Sequence, residues 1–231
     1  MKAANDFRPA ERFHQSILAS TEKKALIWLA ERMPAWVNSD HLTILGFVSL
    51  LAVGLSYWYS RYSKAGLFLV MLFFVLNWFG DSLDGTLARV RNRQRPRYGF
   101  YVDHVLDACG SIFVFGGLAA SGYMSERIAV GLLVAYFLLS IEVYLATYTV
   151  GKFHLSVGAF SPTELRLLLI AGNIALLFKP VVTLAGRQFL MFDVGGAIGI
   201  AGMVIALLWA IVQHTKYLYR AETLSQVAEK W

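Results

Sequence analysis

The sequence predicts an all-α polytopic membrane protein, with six transmembrane helices preceded by an N-terminal amphipathic interfacial helix. Three observations predict it. Of the 231 residues, 57% are hydrophobic and only 16% charged, against about a quarter charged in an ordinary soluble domain. Residues 41–60, 65–80, 108–125 and 194–213 contain no Lys, Arg, Asp or Glu, and apolar runs of roughly 17–25 residues match the hydrocarbon thickness of a bilayer. The basic residues, finally, are placed asymmetrically along the chain.

The spans are expected at about 41–60, 63–81, 100–122, 127–150, 165–185 and 191–214. Their apolar side chains run all round rather than alternating, and a helix satisfies its own backbone groups, as hydrocarbon demands. Upstream, Ala25, Leu26, Leu29 and Met33 recur at helical spacing against Lys23, Lys24, Glu31 and Arg32, so Thr21 to Trp36 reads as a helix lying in the interface. The chain therefore divides into an N-terminal segment over 1–40, a six-helix catalytic domain over 41–214 and a tail over 215–231. Met1 to Asp40 is mixed polar sequence without a short apolar core, so no cleavable leader is expected and the first span serves as targeting signal.

Sixteen of the 21 basic residues fall in the N-terminal segment, around the loops after spans 2 and 4, and in the tail, while Arg61, Lys64, Arg127, Lys179 and Arg187 lie on the other side. The positive-inside rule then places both termini and those two loops in the cytoplasm, with the chain in the inner membrane if the cell is bacterial. The same bias explains a pI of about 9.5 through anionic headgroups; no nucleic acid is needed. The single cysteine, Cys109, excludes a disulfide scaffold and a Cys-based zinc site.

The chemistry is concentrated in Gly80 to Asp107. Asp81 and Asp84 are three apart and Asp103 and Asp107 four apart, so each pair shares a helix face. Two helices joined by a short loop pack antiparallel, which gathers four carboxylates at one membrane depth. Such a cluster repels itself unless cations or protons neutralise it. An all-oxygen set selects hard cations, Mg²⁺ or Mn²⁺, and a pair of them would suit phosphoryl transfer. Gly85 and Gly99 offer places where backbone can approach a bulky phosphorylated group, and Arg89, about one turn beyond Gly85, can meet a phosphate oxygen.

The order Asp81-x2-Asp84-Gly85-x2-Ala88-Arg89-x9-Gly99-x3-Asp103-x3-Asp107 closely resembles the signature of the CDP-alcohol phosphotransferase family. The gap from Val90 to Tyr98 is nine residues where the family usually has about eight. Upstream, Ser39-Asp40-His41-Leu42-Thr43-Ile44-Leu45-Gly46 resembles the family's Pro-Asn-x-x-Thr-x-x-Gly; Thr43 and Gly46 match, while Ser39 and Asp40 replace the Pro-Asn pair.

The resemblance implies metal-dependent transfer of a substituted phosphoryl group from a CDP-linked donor to an acceptor hydroxyl, with release of CMP, in phospholipid biosynthesis. Asp81, Asp84, Asp103 and Asp107 would hold a pair of ions, Mg²⁺ or Mn²⁺. Asp107 would also be the catalytic base. Thr43, Asp81, Gly85, Ala88, Arg89 and Gly99 would line the substrate site. The favoured donor is CDP-diacylglycerol with a small polar alcohol as acceptor; the alternative is a soluble CDP-choline or CDP-ethanolamine donor with diacylglycerol. A different class, a membrane cation transporter, would spread its carboxylates along several spans near the midplane.

Other residues carry two readings each. Arg91, Arg93, Arg95 and Arg97 could attract an anionic acceptor or simply set topology. Ser161-Pro162-Thr163-Glu164 loosely resembles a Thr-Glu element of choline and ethanolamine phosphotransferases. Glu142, mid-span, should face the bundle, as lining of an acceptor cavity or as a packing residue. His104 and His154 sit near the cytoplasmic face, as acceptor ligands or as solvated side chains. Gly195 and Gly199 form a GxxxG spacing, suited to a homodimer or to packing within the bundle. Trp58, Trp78 and Tyr148 read as an aromatic belt.

Overall fold

A run of apolar residues without Pro continues as helix until a breaker stops it, and the breakers set the element boundaries. The computed structural model describes residues 11–13, 19–150, 152–154 and 162–222, in the order β1 (Glu11–Phe13), α1 (Ala19–Arg32), α2 (Ser39–Ser60), α3 (Ala65–Val90), α4 (Pro96–Ser121), α5 (Glu126–Val150), β2 (Lys152–His154), α6 (Pro162–Phe178), β3 (Val181–Leu184), β4 (Arg187–Leu190) and α7 (Met191–Ala221). Pro34 follows α1 and keeps it from reaching Trp36. Pro96 sits at the first position of α4, where its missing N–H is not needed.

Two expected boundaries move outward for lack of a breaker: α3 continues nine residues past Asp81 to Val90, and α4 begins at Pro96. The acidic motif is therefore carried inside long helices rather than at their ends. The connection is a tight turn with Asn92 in the left-handed region at φ 52°, a conformation that Asn tolerates.

The fifth expected span, 165–185, is corrected. Helix α6 has 17 residues and stops at Phe178 before Lys179-Pro180, since a residue preceding proline is driven out of the α region. Val181–Leu184 pairs antiparallel with Arg187–Leu190 instead. The turn is Ala185-Gly186, with φ of 49° and 78°, the backbone that a two-residue hairpin loop requires. Five described helices, α2, α3, α4, α5 and α7, are long and apolar enough to cross a bilayer. Their outer faces expose Leu55, Phe68, Leu138, Ile198 and Ile205, which suits a lipid solvent.

Glycines set how closely the central helices approach. A Cβ on Gly80 of α3 would lie 2.6 Å from the backbone nitrogen of Gly46 on α2, and one on Gly117 of α4 would lie 2.2 Å from the Gly54 carbonyl oxygen. Small residues let helix backbones meet where hydrocarbon supplies no hydrophobic drive. The result brings α2, α3 and α4 into one packed unit around Val53, Tyr57, Val70, Phe74, Val114 and Leu118.

Helix α1 docks on this unit rather than resting only on lipid. Leu26 and Ala30 are buried with Val37, Leu42, Leu83 and Leu87. Arg91 donates to the carbonyls of Val37, Met33 and Pro34, the last two at 2.9 Å, so a cation meets the chain just past the C-terminal end of α1. Trp78 is not a free belt residue: its indole N–H donates to Glu22 of α1 at 2.8 Å. Trp58 and Tyr148 are exposed.

Candidate active site

The α3 positions Asn77, Asp81, Asp84 and Ala88 lie on one helical stripe. The α4 positions Gly99, Asp103 and Asp107 lie on another. Where the stripes face each other beside α2, a cleft is lined by Thr43, Gly46, Asn77, Asp81, Asp84, Asp103 and Asp107. Asp81, Asp103 and Asp107 each present a carboxylate oxygen within 4.8 Å of the others, and all three are half-buried.

Asp84 lines the same cleft but stands outside that triplet. The Thr43 hydroxyl donates to its Oδ2 at 2.6 Å, and the Gly85 N–H donates to Oδ1. Ser39, one of the two departures from the upstream motif, donates to the Asp84 backbone carbonyl at 2.7 Å. The other, Asp40, pairs with Arg95, whose guanidinium also lies 4.1 Å over the Tyr98 ring. The start of α2 is thereby tied to the acidic turn of α3 and to the start of α4.

One cation that the sequence reading did not single out enters from α6. The Arg166 guanidinium reaches Asp81 Oδ2 at 2.5 Å, with 14% of its side chain exposed. A lone basic residue at a span end reads as a topology determinant, so no local signal distinguishes it. One guanidinium against three clustered carboxylates leaves net negative charge in a reduced dielectric. The all-oxygen donor set and its spacing thus fit a hard divalent cation.

Above the triplet, Gly85 and Gly99 differ from the packed glycines. Among the described residues, a Cβ on Gly85 would meet only Arg89 Nη1 at 3.7 Å, and one on Gly99 would meet nothing within 4 Å. Neither glycine is required by the protein's own packing, although glycine costs a helix interior roughly 0.5–1 kcal/mol relative to alanine. Arg89 is steadied beside Gly85 by a 2.9 Å hydrogen bond to the Thr86 hydroxyl. Ala88 is half-buried on the same stripe.

The remaining candidates divide. Arg91 and Arg95 are engaged in tertiary contacts, as above. His104 Nδ1 lies 2.7 Å from the Phe100 carbonyl, its ring stacks on Phe100, and it is 3.8 Å from Asp103. Thr163 donates to Glu22 at 2.8 Å. Glu142 faces inward, as expected, and lies 2.5 Å from His214 Nδ1 on α7, a partner 72 residues away. Gly199 packs against Leu132 of α5, whereas Gly195 meets nothing within 4 Å. Cys109 is exposed on α4. Ser161 and the end of the tail lie outside the described residues, and of His154 only the strand backbone is described.

Residues 36–212 match the family model described as CDP-alcohol phosphatidyltransferase. No curated protein sequence matches the chain. Among solved structures, the chain resembles a Mycobacterium tuberculosis phosphatidylinositol phosphate synthase with CDP-DAG bound, at a TM-score of 0.51 and 18% identity, over 87% of this chain and 92% of that one. At that identity the likeness speaks for the fold.

Proposed function

Because the chain belongs to the CDP-alcohol phosphatidyltransferase family, a family of integral membrane phosphotransferases, we propose that its donor is CDP-diacylglycerol and its acceptor a small polar alcohol. The observation that carries the reading is the half-buried triplet Asp81, Asp103 and Asp107, bordered by two glycines that packing does not need. The CDP-DAG-bound synthase of the same fold supports the choice of donor. Thr163, of the element resembling choline and ethanolamine enzymes, is engaged with Glu22, so its hydroxyl lends no support to the soluble-donor reading.

In this reading Asp81, Asp84, Asp103 and Asp107 hold divalent cations, Mg²⁺ or Mn²⁺. Bound there, the cations neutralise the donor pyrophosphate and stabilise charge on the transferred phosphate. Gly85, Ala88, Arg89 and Gly99 line the CDP moiety, with the Arg89 fork on a phosphate oxygen. Thr43 holds the Asp84 carboxylate in place through its hydroxyl. Asp107 accepts the acceptor's hydroxyl proton as the new O–P bond forms and the bond to CMP breaks. The 16 basic residues assigned to one side of the bundle support a cytoplasmic site and cytoplasmic termini.

The test is a panel of CDP-diacylglycerol, CDP-choline and CDP-ethanolamine, each with candidate acceptors and with Mg²⁺ or Mn²⁺, read by CMP release and lipid mass spectrometry on the purified chain. CDP-diacylglycerol alone should release CMP and yield an anionic or zwitterionic phospholipid. Product from a soluble CDP-alcohol and diacylglycerol would reverse donor and acceptor.

A further inference from the structure

The residues that line the acidic cleft include one with a buried polar atom that nothing among the described residues satisfies. Asn77 lies one helical turn before Asp81 on the same face of α3, is 2% exposed, and lines the cleft together with the four aspartates. Its amide nitrogen donates to the Gly46 carbonyl at 3.0 Å. Only the NH₂ group can bond a carbonyl, so this contact fixes the orientation of the amide. The Oδ1 atom is left buried with no hydrogen-bond partner among the described residues. An acceptor stranded in this way costs about 1–3 kcal/mol, and inside a bilayer a Leu of similar volume would avoid that cost. The neutral oxygen therefore points to a donor that arrives with the ligand.

Resting on the reading of the aspartates as a cation site, we propose that Asn77 is a positioning residue of that site: its Oδ1 accepts a hydrogen bond from water in the hydration shell of the bound cation. Mg²⁺ dehydrates reluctantly and keeps several waters when only a few carboxylates bind it. Those waters need acceptors, and outer-shell acceptors of this kind hold the shell in one orientation. Asn77 supplies one without adding a fifth negative charge to a crowded cluster.

The test is Mn²⁺ titration by electron paramagnetic resonance on the purified chain without nucleotide, with thermal unfolding of each variant recorded. Asn77→Leu removes the acceptor and should weaken Mn²⁺ binding by about 10–100-fold. Asn77→Asp keeps an oxygen at Oδ1 but loses the donor to Gly46, and should bind Mn²⁺ at least as tightly as the natural chain. A role limited to pinning α3 on α2 would weaken both variants alike, and that result overturns the inference. Unchanged affinity in Asn77→Leu also overturns it. If Asn77→Leu does not fold, Asn77→Asp decides alone: retained affinity supports the inference and lost affinity overturns it. Asp103→Asn is the control. Loss of Mn²⁺ there with no effect at Asn77 sinks this inference alone, whereas a natural chain that takes up no Mn²⁺, or an Asp103→Asn variant that binds it normally, sinks the aspartate site and the inference together.

Discussion

Arg166 on α6 and Asp81 on α3, 85 residues apart in sequence, meet at 2.5 Å beside the carboxylate triplet. The guanidinium is the counter-charge that a pair of like-charged neighbours would otherwise deny Asp81. It also competes for the same oxygens as any cation entering the cleft. Replacing it with a neutral side chain should therefore raise divalent-cation affinity. We expect Arg166→Gln to lower the Mn²⁺ dissociation constant by about tenfold, equivalent to ~1.4 kcal/mol and within the Coulomb range for charges near a protein surface. Arg166→Lys should stay near the natural value. Weaker binding in Arg166→Gln would show that the arginine organises the cluster rather than opposing the cation.

Thr43 holds Asp84 through a 2.6 Å hydrogen bond. Thr43→Val keeps the shape and deletes the donor, so Asp84 loses its orientation while the α2–α3 packing survives. Activity should fall about 10–100-fold with an unfolding midpoint close to that of the natural chain. Thr43→Ser should restore most of it, because the hydroxyl is what matters. Activity in Thr43→Val close to that of the natural chain would show that the hydroxyl bond to Asp84 does not carry the effect.

Gly99 and Gly117 make opposite predictions for one added methyl. Gly99→Ala meets no atom of the described residues within 4 Å, so it should stabilise α4 by roughly 0.5–1 kcal/mol while raising KM for the CDP donor. Gly117→Ala would place its Cβ 2.2 Å from the Gly54 carbonyl oxygen, which separates α4 from α2. That variant should lose folded protein in detergent. Thermal unfolding and donor KM measured together separate the two, and an unchanged KM in Gly99→Ala would remove Gly99 from the substrate site.

Asp107→Asn keeps the size of the proposed base and removes its ability to take a proton. CMP release should drop by about 10²–10⁴-fold, the usual contribution of a positioned base. Donor binding, followed by equilibrium dialysis of labelled CDP-diacylglycerol, should change far less. Turnover near the natural rate would transfer the base role to another group.

Glu142 and His214 pin α5 to α7 at 2.5 Å, with the Glu142 side chain 12% exposed. A double-mutant cycle using Glu142→Gln and His214→Phe should give a coupling of about 0.6–1.7 kcal/mol, the range measured for interhelical hydrogen bonds in membrane bundles. The cation cleft is built on other helices, so Mn²⁺ affinity should be unchanged in both single variants. A lost Mn²⁺ site would tie this pair to the chemistry.

The departures from the upstream motif show how far local patterns reach. Ser39 and Asp40 read as mismatches, yet Ser39 bonds the Asp84 carbonyl and Asp40 bonds Arg95. The alternating arginines read as a topology signal or an acceptor magnet, and two of them are held by backbone carbonyls and by Asp40. In each case the partner lies more than 40 residues away, and no spacing rule within one helix reports on it.

By itself the sequence determined the all-α membrane class, the amphipathic helix, the facing of Glu142 and the acidic motif, because hydropathy and helical periodicity are properties of consecutive residues. Only the tertiary structure decided that Asp84 is turned toward Thr43 while Asp81, Asp103 and Asp107 converge, that Arg166 supplies the counter-charge, that Asn77 strands an oxygen in the cleft, and that α6 ends at Phe178 in favour of a hairpin. Those outcomes depend on how closely α2, α3 and α4 approach at Gly46, Gly54, Gly80 and Gly117. Backbone proximity of that kind is a property of pairs of helices, and it is set by contacts that no single stretch of sequence contains.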